Sequence, residues 1–206
     1  MTVAQGLVGV HFTAQHDTPS ELSPVDIAQL DPFLRGVLFT DGTVSRALEA
    51  HTLCEVVVNT VEQTPGPVPA PVAQQLELQP AEHCLRRRIA MTIGQLQPSV
   101  WAESYLAIQR MPQQFISQLD GNPQGIGGSL QQLKLESRRE LLWFGIGPLP
   151  AWAQQTDAAT PGALALTRCY RVVTQGLPAL LICESFALQL HSGVYHLSGS
   201  STSPPA

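Results

Sequence analysis

The sequence predicts an α+β protein: a single antiparallel β-sheet of about six strands flanked by helices. Three observations lead to it. Strand-like stretches with two-residue alternation recur along the chain, and most are joined by short turns. Helix signals cluster early and in the middle, with no strand–helix alternation of the Rossmann kind. No internal repeat divides the 206 residues, which suits one domain over residues 1–206, with flexible ends expected at 1–28 and 198–206. A sheet of this type buries one face under helices, and a small-molecule pocket is expected between the two layers.

Each element has its own local reason. Asp31-Pro32 opens a first short helix, with Asp as N-cap and Pro at the first helical position, and Leu34, Val37 and Leu38 form its apolar side. Thr40-Asp41-Gly42-Thr43 is a turn, with Asp41 read as a helix cap, and a second helix follows through Val44, Leu48 and His51. Cys54 to Thr64 is valine-rich and reads as a strand. Thr64 to Pro71 holds prolines at 65, 67, 69 and 71 and reads as a connector. Arg86 to Ile93 and Trp101 to Gln109 form a strand pair around a turn at Gly94 to Pro98. A short helix is expected over Gln113 to Leu119. Gly121 to Gly128 reads as a glycine-rich loop, and the absence of a following Gly-Lys-Ser/Thr argues against a phosphate loop. Lys134 to Phe144 reads as a strand, although Glu136 to Leu142 would also suit a helix, and Pro148 to Gly162 reads as a connector. Ala163 to Thr174 and Ala179 to Leu190 form a hairpin around Gln175-Gly176-Leu177-Pro178.

Composition excludes several function classes. Net charge is −5, and the one basic cluster, Arg86-Arg87-Arg88, is split by strand alternation, so nucleic acid is not an expected partner. No apolar run reaches membrane-spanning length and no charged-then-apolar leader is visible, so no membrane partner is expected and the predicted location is cytoplasmic. Cys54, Cys84, Cys169 and Cys183 lie apart, and reduced core thiols are expected. No Cys/His/Asp cluster has ligand spacing, so neither a metal nor a cofactor is expected. Composition and pattern leave the oligomeric state open.

Two charges stand out from this background. Leu85, Arg87, Ile89, Met91 and Ile93 share one strand face. Leu180, Ile182, Glu184, Phe186 and Leu188 share another. Each apolar face holds a single charge, and the two are opposite. A charge on a core face is costly unless it is paired or used. Two readings stand: a plain buried salt bridge between Arg87 and Glu184, or a ligand site. Other conspicuous residues read as structural: Glu136, Arg138, Arg139 and Glu140 as solvated or cross-strand pairs, Trp101 and Trp143 as core, Trp152 as a cap on the sheet. Cys183 faces away from Glu184 and is not read as a nucleophile.

Four segments carry a family resemblance: Phe39-Thr40-Asp41-Gly42-Thr43-Val44-Ser45-Arg46-Ala47-Leu48-Glu49, Leu85-Arg86-Arg87-Arg88-Ile89, Leu135-Glu136-Ser137-Arg138-Arg139-Glu140-Leu141-Leu142, and Gly176-Leu177-Pro178 with the strand through Glu184. In order and spacing the chain resembles the chorismate pyruvate-lyase family, in particular its cyanobacterial and plastid branch, over roughly residues 30 to 190. The resemblance implies a chorismate lyase-like fold with helical flaps over a closed pocket. It implies a cofactor-free lyase that converts chorismate to 4-hydroxybenzoate and pyruvate, toward quinone head groups such as that of plastoquinone. It places the family's product-holding arginine on Arg87 and its active-site glutamate on Glu184. Ile126 matches a pocket-lining flap residue, and Thr43 a residue of the other flap. Arg88 departs from the acidic residue more usual beside the strand arginine. Some members carry an arginine on the next strand, where this chain has Ser104. The second carboxylate of chorismate then needs another donor, for which Arg139 and Arg168 are candidates. Glu184 could bind the ring hydroxyl or shuttle a proton. The competing expectation is a non-catalytic, effector-sensing domain of the same architecture, although no basic recognition helix is visible. A third is a structural domain whose Arg87 and Glu184 pair only with each other.

Overall fold

The computed structural model describes residues 14–79, 82–94, 98–119, 125–156 and 162–188. Six strands build one antiparallel sheet: β1 (Val56–Pro67), β2 (His83–Ile93), β3 (Pro98–Leu106), β4 (Arg138–Pro148), β5 (Leu164–Thr174) and β6 (Leu177–Ala187). Their spatial order is β1-β2-β3-β6-β5-β4. The described helices are α1 (Pro32–Phe39), α2 (Val44–Thr52), α3 (Ala70–Leu76), α4 (Gln113–Gln118), α5 (Gly125–Gln132) and α6 (Ala151–Gln154). This is the α+β, antiparallel architecture that the alternation predicts.

Local chemistry sets the key boundaries. Asp31 accepts a hydrogen bond from the Phe33 N–H at 2.8 Å, and Pro32 occupies the start of α1. The β5–β6 turn is tight because Gln175 and Gly176 both take positive φ, 51° and 81°, the pattern of a type I′ hairpin. Helices α1 and α2 pack on one face of the sheet through Leu34, Val37, Leu38, Val44 and Leu48 against Val58, Ile89, Met91 and Phe186. On the same face, α4 and α5 contribute Phe115 and Leu130 to a cluster with Leu106, Tyr170 and Ile182. We call this the inner face.

Several expectations need correction. The reverse face is covered too: α3 packs there with Leu142, Cys169 and Leu181, and α6 with Trp101 and Ala165. Strand β1 runs through the proline-rich stretch to Pro67. It is an edge strand, where a missing N–H costs no ladder bond on the solvent side. Residues 125–132, half of the expected glycine loop, form helix α5. The strand expected from Lys134 begins at Arg138, after Lys134 takes positive φ. Within the segment expected to be flexible, Gln15 and His16 donate backbone bonds to Leu141 and Leu142, and Ser23 bridges Ile146. That docking is possible because Gly145 and Gly147 on β4 carry no Cβ where Thr18 and Leu22 lie. Residues 1–13 and the expected tail 198–206 lie outside the described residues. Asp41 is engaged through its carbonyl, and Thr43 holds the N-cap position of α2.

The cysteines also differ from expectation. Cys169 and Cys183 face each other in the β5–β6 register and form a disulfide, while Cys54 is an exposed thiol and Cys84 a buried one. The reduced-thiol argument for a cytoplasmic location therefore loses half of its residues. No helix among the described residues is long and apolar enough to cross a membrane.

Candidate active site

Strand register brings the two singled-out charges together. Arg87 on β2 pairs with Ser104 on β3, which pairs with Ile182 on β6 and so with Tyr170 on β5. One step along, Ala102 on β3 pairs with Glu184 on β6, which pairs with Arg168 on β5. Arg87 and Glu184 thus point from adjacent rows of the inner face. Both are buried, at 1% and 4% exposure. They line one cavity with Thr43, Ser104, Ile126 and Arg139. Arg168, the other candidate donor for the second carboxylate, lines the neighbouring cleft instead.

Its roof is made by two flaps. The α1–α2 connection supplies Thr43 and the start of α5 supplies Gly125, Ile126 and Gly127. They touch directly: a Cβ built on Gly127 would lie 2.6 Å from Thr43 Cγ2. With the flaps so placed, the cavity measures about 40 Å³, room for little more than water. Arg139 and Tyr170 also line a neighbouring cleft of about 300 Å³, and Arg139 donates to the Asp41 carbonyl at that boundary.

The electrostatics do not follow the salt-bridge reading. Arg87 donates from Nη2 to Thr60 Oγ1 at 2.8 Å and to the Leu119 carbonyl at 3.4 Å. The ion-pair partner of Glu184 is Arg168, whose Nε donates to Oε2 at 2.8 Å. Arg168 Nη2 also lies 2.8 Å from Oε2, but off the hydrogen-bonding direction, so that contact is Coulombic. Arg168 Nη1 donates to the Val37, Leu38 and Thr40 carbonyls at the end of α1. These carbonyls carry the negative end of the helix dipole. Burial works against the Arg168 charge, yet Glu184 and Tyr170 outweigh it and raise its pKa further. Tyr170 donates to the other carboxylate oxygen, Glu184 Oε1, at 3.2 Å. Burial first, and then the Glu184 charge, push the Tyr170 hydroxyl up to about 12, so it stays a neutral donor.

Arg168 and Tyr170 are therefore part of the site, and sequence reasoning gave Arg168 a different role. The same signal was present. Leu164, Leu166, Arg168, Tyr170 and Val172 alternate on β5, a third apolar face with one charge. Cross-strand reading of the final hairpin would have set Arg168 opposite Glu184. Of the charges read as solvated or cross-strand pairs, Arg138 and Glu140 pair with each other and Glu140 also pairs across the strands with Arg171, whereas Arg139 departs from that reading by lining the cavity and donating to the Asp41 carbonyl. Among the described residues no group of three or more His, Cys, Asp or Glu could hold a metal ion.

A sequence model of chorismate pyruvate-lyases of the Rv2949c-like type matches residues 38–193, which spans both flaps and the strands carrying Arg87, Arg168 and Glu184. The chain belongs to the Rv2949c-like chorismate pyruvate-lyase family. Relatives in this family include the chorismate pyruvate-lyase of Mycobacterium tuberculosis (strain ATCC 25618 / H37Rv), 28% identical over 169 residues, 80% of this chain and 84% of that protein. The chorismate pyruvate-lyase of Mycobacterium leprae (strain TN) is 29% identical over 171 residues, 82% of this chain and 80% of that protein. Solved structures share the fold at lower identity. The effector domain of PhnF from Mycobacterium smegmatis superposes with a TM-score of 0.61 at 10% identity, over 73% of this chain and 91% of that one. A GntR-family transcriptional regulator from Bacillus cereus gives 0.52 at 12% identity, over 73% and 98%. The same fold thus occurs in transcriptional regulators.

Proposed function

We propose that this protein is a chorismate pyruvate-lyase, converting chorismate to 4-hydroxybenzoate and pyruvate. The observation that carries the reading is the buried, flap-covered cavity that holds Arg87 and Glu184 without pairing them to each other. An arginine on one wall and a carboxylate on the other suit a ring with a carboxylate at one end and a hydroxyl at the other. Membership of the family supports the same reaction. The resemblance to regulator effector domains concerns the fold, and no described feature favours the sensing role over the lyase.

In this reading Arg87 binds the ring carboxylate, for which its planar fork is matched. Glu184 accepts a hydrogen bond from the C4 hydroxyl. An ionised carboxylate offers about four acceptor directions, and Arg168 and Tyr170 occupy two of them. Both oxygens of Glu184 are held, one by Arg168 and one by Tyr170, so a fixed acceptor suits it better than a proton carrier. The reaction breaks the C4–H and C3–O bonds and forms a C3–C4 double bond. The ring becomes aromatic, and the electron pair leaves on the enolpyruvate oxygen, which takes up the C4 proton; the enol then tautomerises to pyruvate. Orientation and stabilisation of that departing oxyanion are the main demands on the protein. Arg139, at the boundary with the outer cleft, supplies the cation for the enolpyruvyl carboxylate. Arg168 is already committed to Glu184 and α1. Ser104 is small and leaves room beside Arg87, while Thr43 and Ile126 close over the ring.

We read residues 1–206 as one catalytic domain acting without metal or cofactor, and the product as a quinone head-group precursor of the cyanobacterial and plastid kind, after the segment Leu135 to Leu142. The test is direct. Purified protein incubated with chorismate and EDTA should yield 4-hydroxybenzoate and pyruvate in equal amounts. No product, or product only after a divalent ion is restored, overturns the corresponding part.

A further inference from the structure

All three tryptophans of the chain, Trp101, Trp143 and Trp152, line a single cavity on the reverse face of the sheet. It measures about 550 Å³, within the range of small-molecule sites. The sheet separates it from the Arg87–Glu184 cavity, because Trp101 and Ser185 alternate with Ala102 and Glu184 along their strands. Its floor is made by β3, β5 and β6. Its walls are Leu22 from the N-terminal segment and Leu149 to Trp152 from the connector leading into α6. The lyase reading leaves this cavity without a role.

Its chemistry points to one class of ligand. Trp101, Trp143 and Trp152 give it an aromatic lining, and the Nε1 atoms of Trp101 and Trp152 are buried, with no hydrogen-bond partner among the described residues. The facing Thr167 and Ser185 hydroxyls, 2.9 Å apart, form a polar spot among the rings: one donates to the other, which leaves the second O–H for an oxygen acceptor on a bound molecule. The charges on the wall are unfavourable to anions. Glu103 and Glu21 line the cavity, while Arg88 is held by Glu103 and Glu62 and lies over the outer ring of Trp152.

We propose that this reverse-face cavity is a second ligand site, taking a flat, uncharged aromatic molecule with an oxygen acceptor. It would reject the carboxylate compounds assigned to the inner cavity. This inference does not depend on the lyase reading.

The three tryptophans make the site self-reporting. The neutral fluorophore 6-propionyl-2-(dimethylamino)naphthalene, flat and carrying a ketone oxygen, should bind at one equivalent per chain and quench tryptophan emission by energy transfer. Uncharged methyl 4-hydroxybenzoate should displace it, and the 4-hydroxybenzoate anion should do so at least tenfold more weakly. Trp152→Ala and, separately, Trp143→Ala should each weaken probe binding at least tenfold at unchanged far-UV circular dichroism. Arg87→Ala, on the opposite face, should leave it within twofold. Should one tryptophan variant fail to fold, the other carries the test. Equal displacement by ester and anion, loss of binding in Arg87→Ala, or wild-type binding in a folded tryptophan variant would each overturn the proposal.

Discussion

Gly127→Ala tests whether the two flaps must close to form the site. The added Cβ would lie 2.6 Å from Thr43 Cγ2, 2.8 Å from Oγ1 and 3.1 Å from Cβ. Turning the Thr43 side chain moves the first two atoms but not the third, so the closed contact must widen. Overpacking of this kind costs about 1–3 kcal/mol. If closure is what builds the cavity, that cost appears as about 5- to 150-fold weaker binding of substrate and product. Within α5 itself alanine is favoured over glycine by about 1 kcal/mol. The variant should therefore bind 4-hydroxybenzoate poorly and raise KM for chorismate while its Tm holds or rises. Calorimetry, steady-state kinetics and a thermal melt on one preparation read all three. Thr43→Gly removes all three atoms at an N-cap position where glycine is tolerated, so adding it to Gly127→Ala should restore most of the lost affinity. Wild-type affinity in Gly127→Ala would refute the closure, as would a double variant no better than the single.

Five further outcomes follow from the geometry. Arg87→Ala should weaken 4-hydroxybenzoate binding by about 1.5–3 kcal/mol, the range for a charge-assisted bond. Glu184→Gln should cost about the same in kcat/KM, whereas a drop in kcat approaching about 10⁴-fold would reveal proton transfer. Arg168→Met should destabilise by about 3–5 kcal/mol, since it strands a buried carboxylate, and adding Glu184→Gln should recover part of the Tm; an additive double variant would show that the two residues are not coupled. Thiol titration of the protein unfolded without reductant should find two thiols, from Cys54 and Cys84, and a count of four would disprove the Cys169–Cys183 bond. Burial tends to raise the Glu140 pKa, but bonds from Arg171 and Arg138 outweigh it and leave it lowered; its stabilisation is thus full above the ordinary carboxylate range and lost as pH falls through the lower folded value, so Glu140→Gln should flatten the Tm decline below about pH 5, and an unchanged acid limb would contradict the pairing.

How much of this was legible in the residues can be judged element by element. The α1 start was readable because capping is local: Asp31 and Pro32 decide it alone. The positions of Arg87 and Glu184 were readable because strand alternation is a property of the backbone. Strand β1 was cut short because proline reads as a breaker until the strand is known to be an edge. Helix α5 was missed because Gly125, Gly127 and Gly128 are poor helix formers; the close approach to Thr43 requires glycine at 127. The docking of residues 14–26 was invisible because its cause lies about 120 residues away, in the bare Cα positions of Gly145 and Gly147. The Cys169–Cys183 pair needed the hairpin register, which spacing in sequence does not supply.

The cation that holds Glu184 links the site to its flap. Ser104 on β3 carries no charge, and Arg168 reaches Glu184 from the other neighbouring strand, β5. Arg168 holds Glu184 with one side of its fork and the Val37, Leu38 and Thr40 carbonyls with the other. Those carbonyls lead directly into Thr43, the residue that meets Gly127 over the cavity. The carboxylate and one edge of the roof therefore share a single buried cation. Displacing the α1–α2 connection to admit a substrate would strip hydrogen bonds from Arg168 and leave its charge leaning more heavily on Glu184. Closing the connection returns those bonds. Opening is thereby made costly by the same residue that fixes Glu184, and the closed flap and the oriented carboxylate are favoured together.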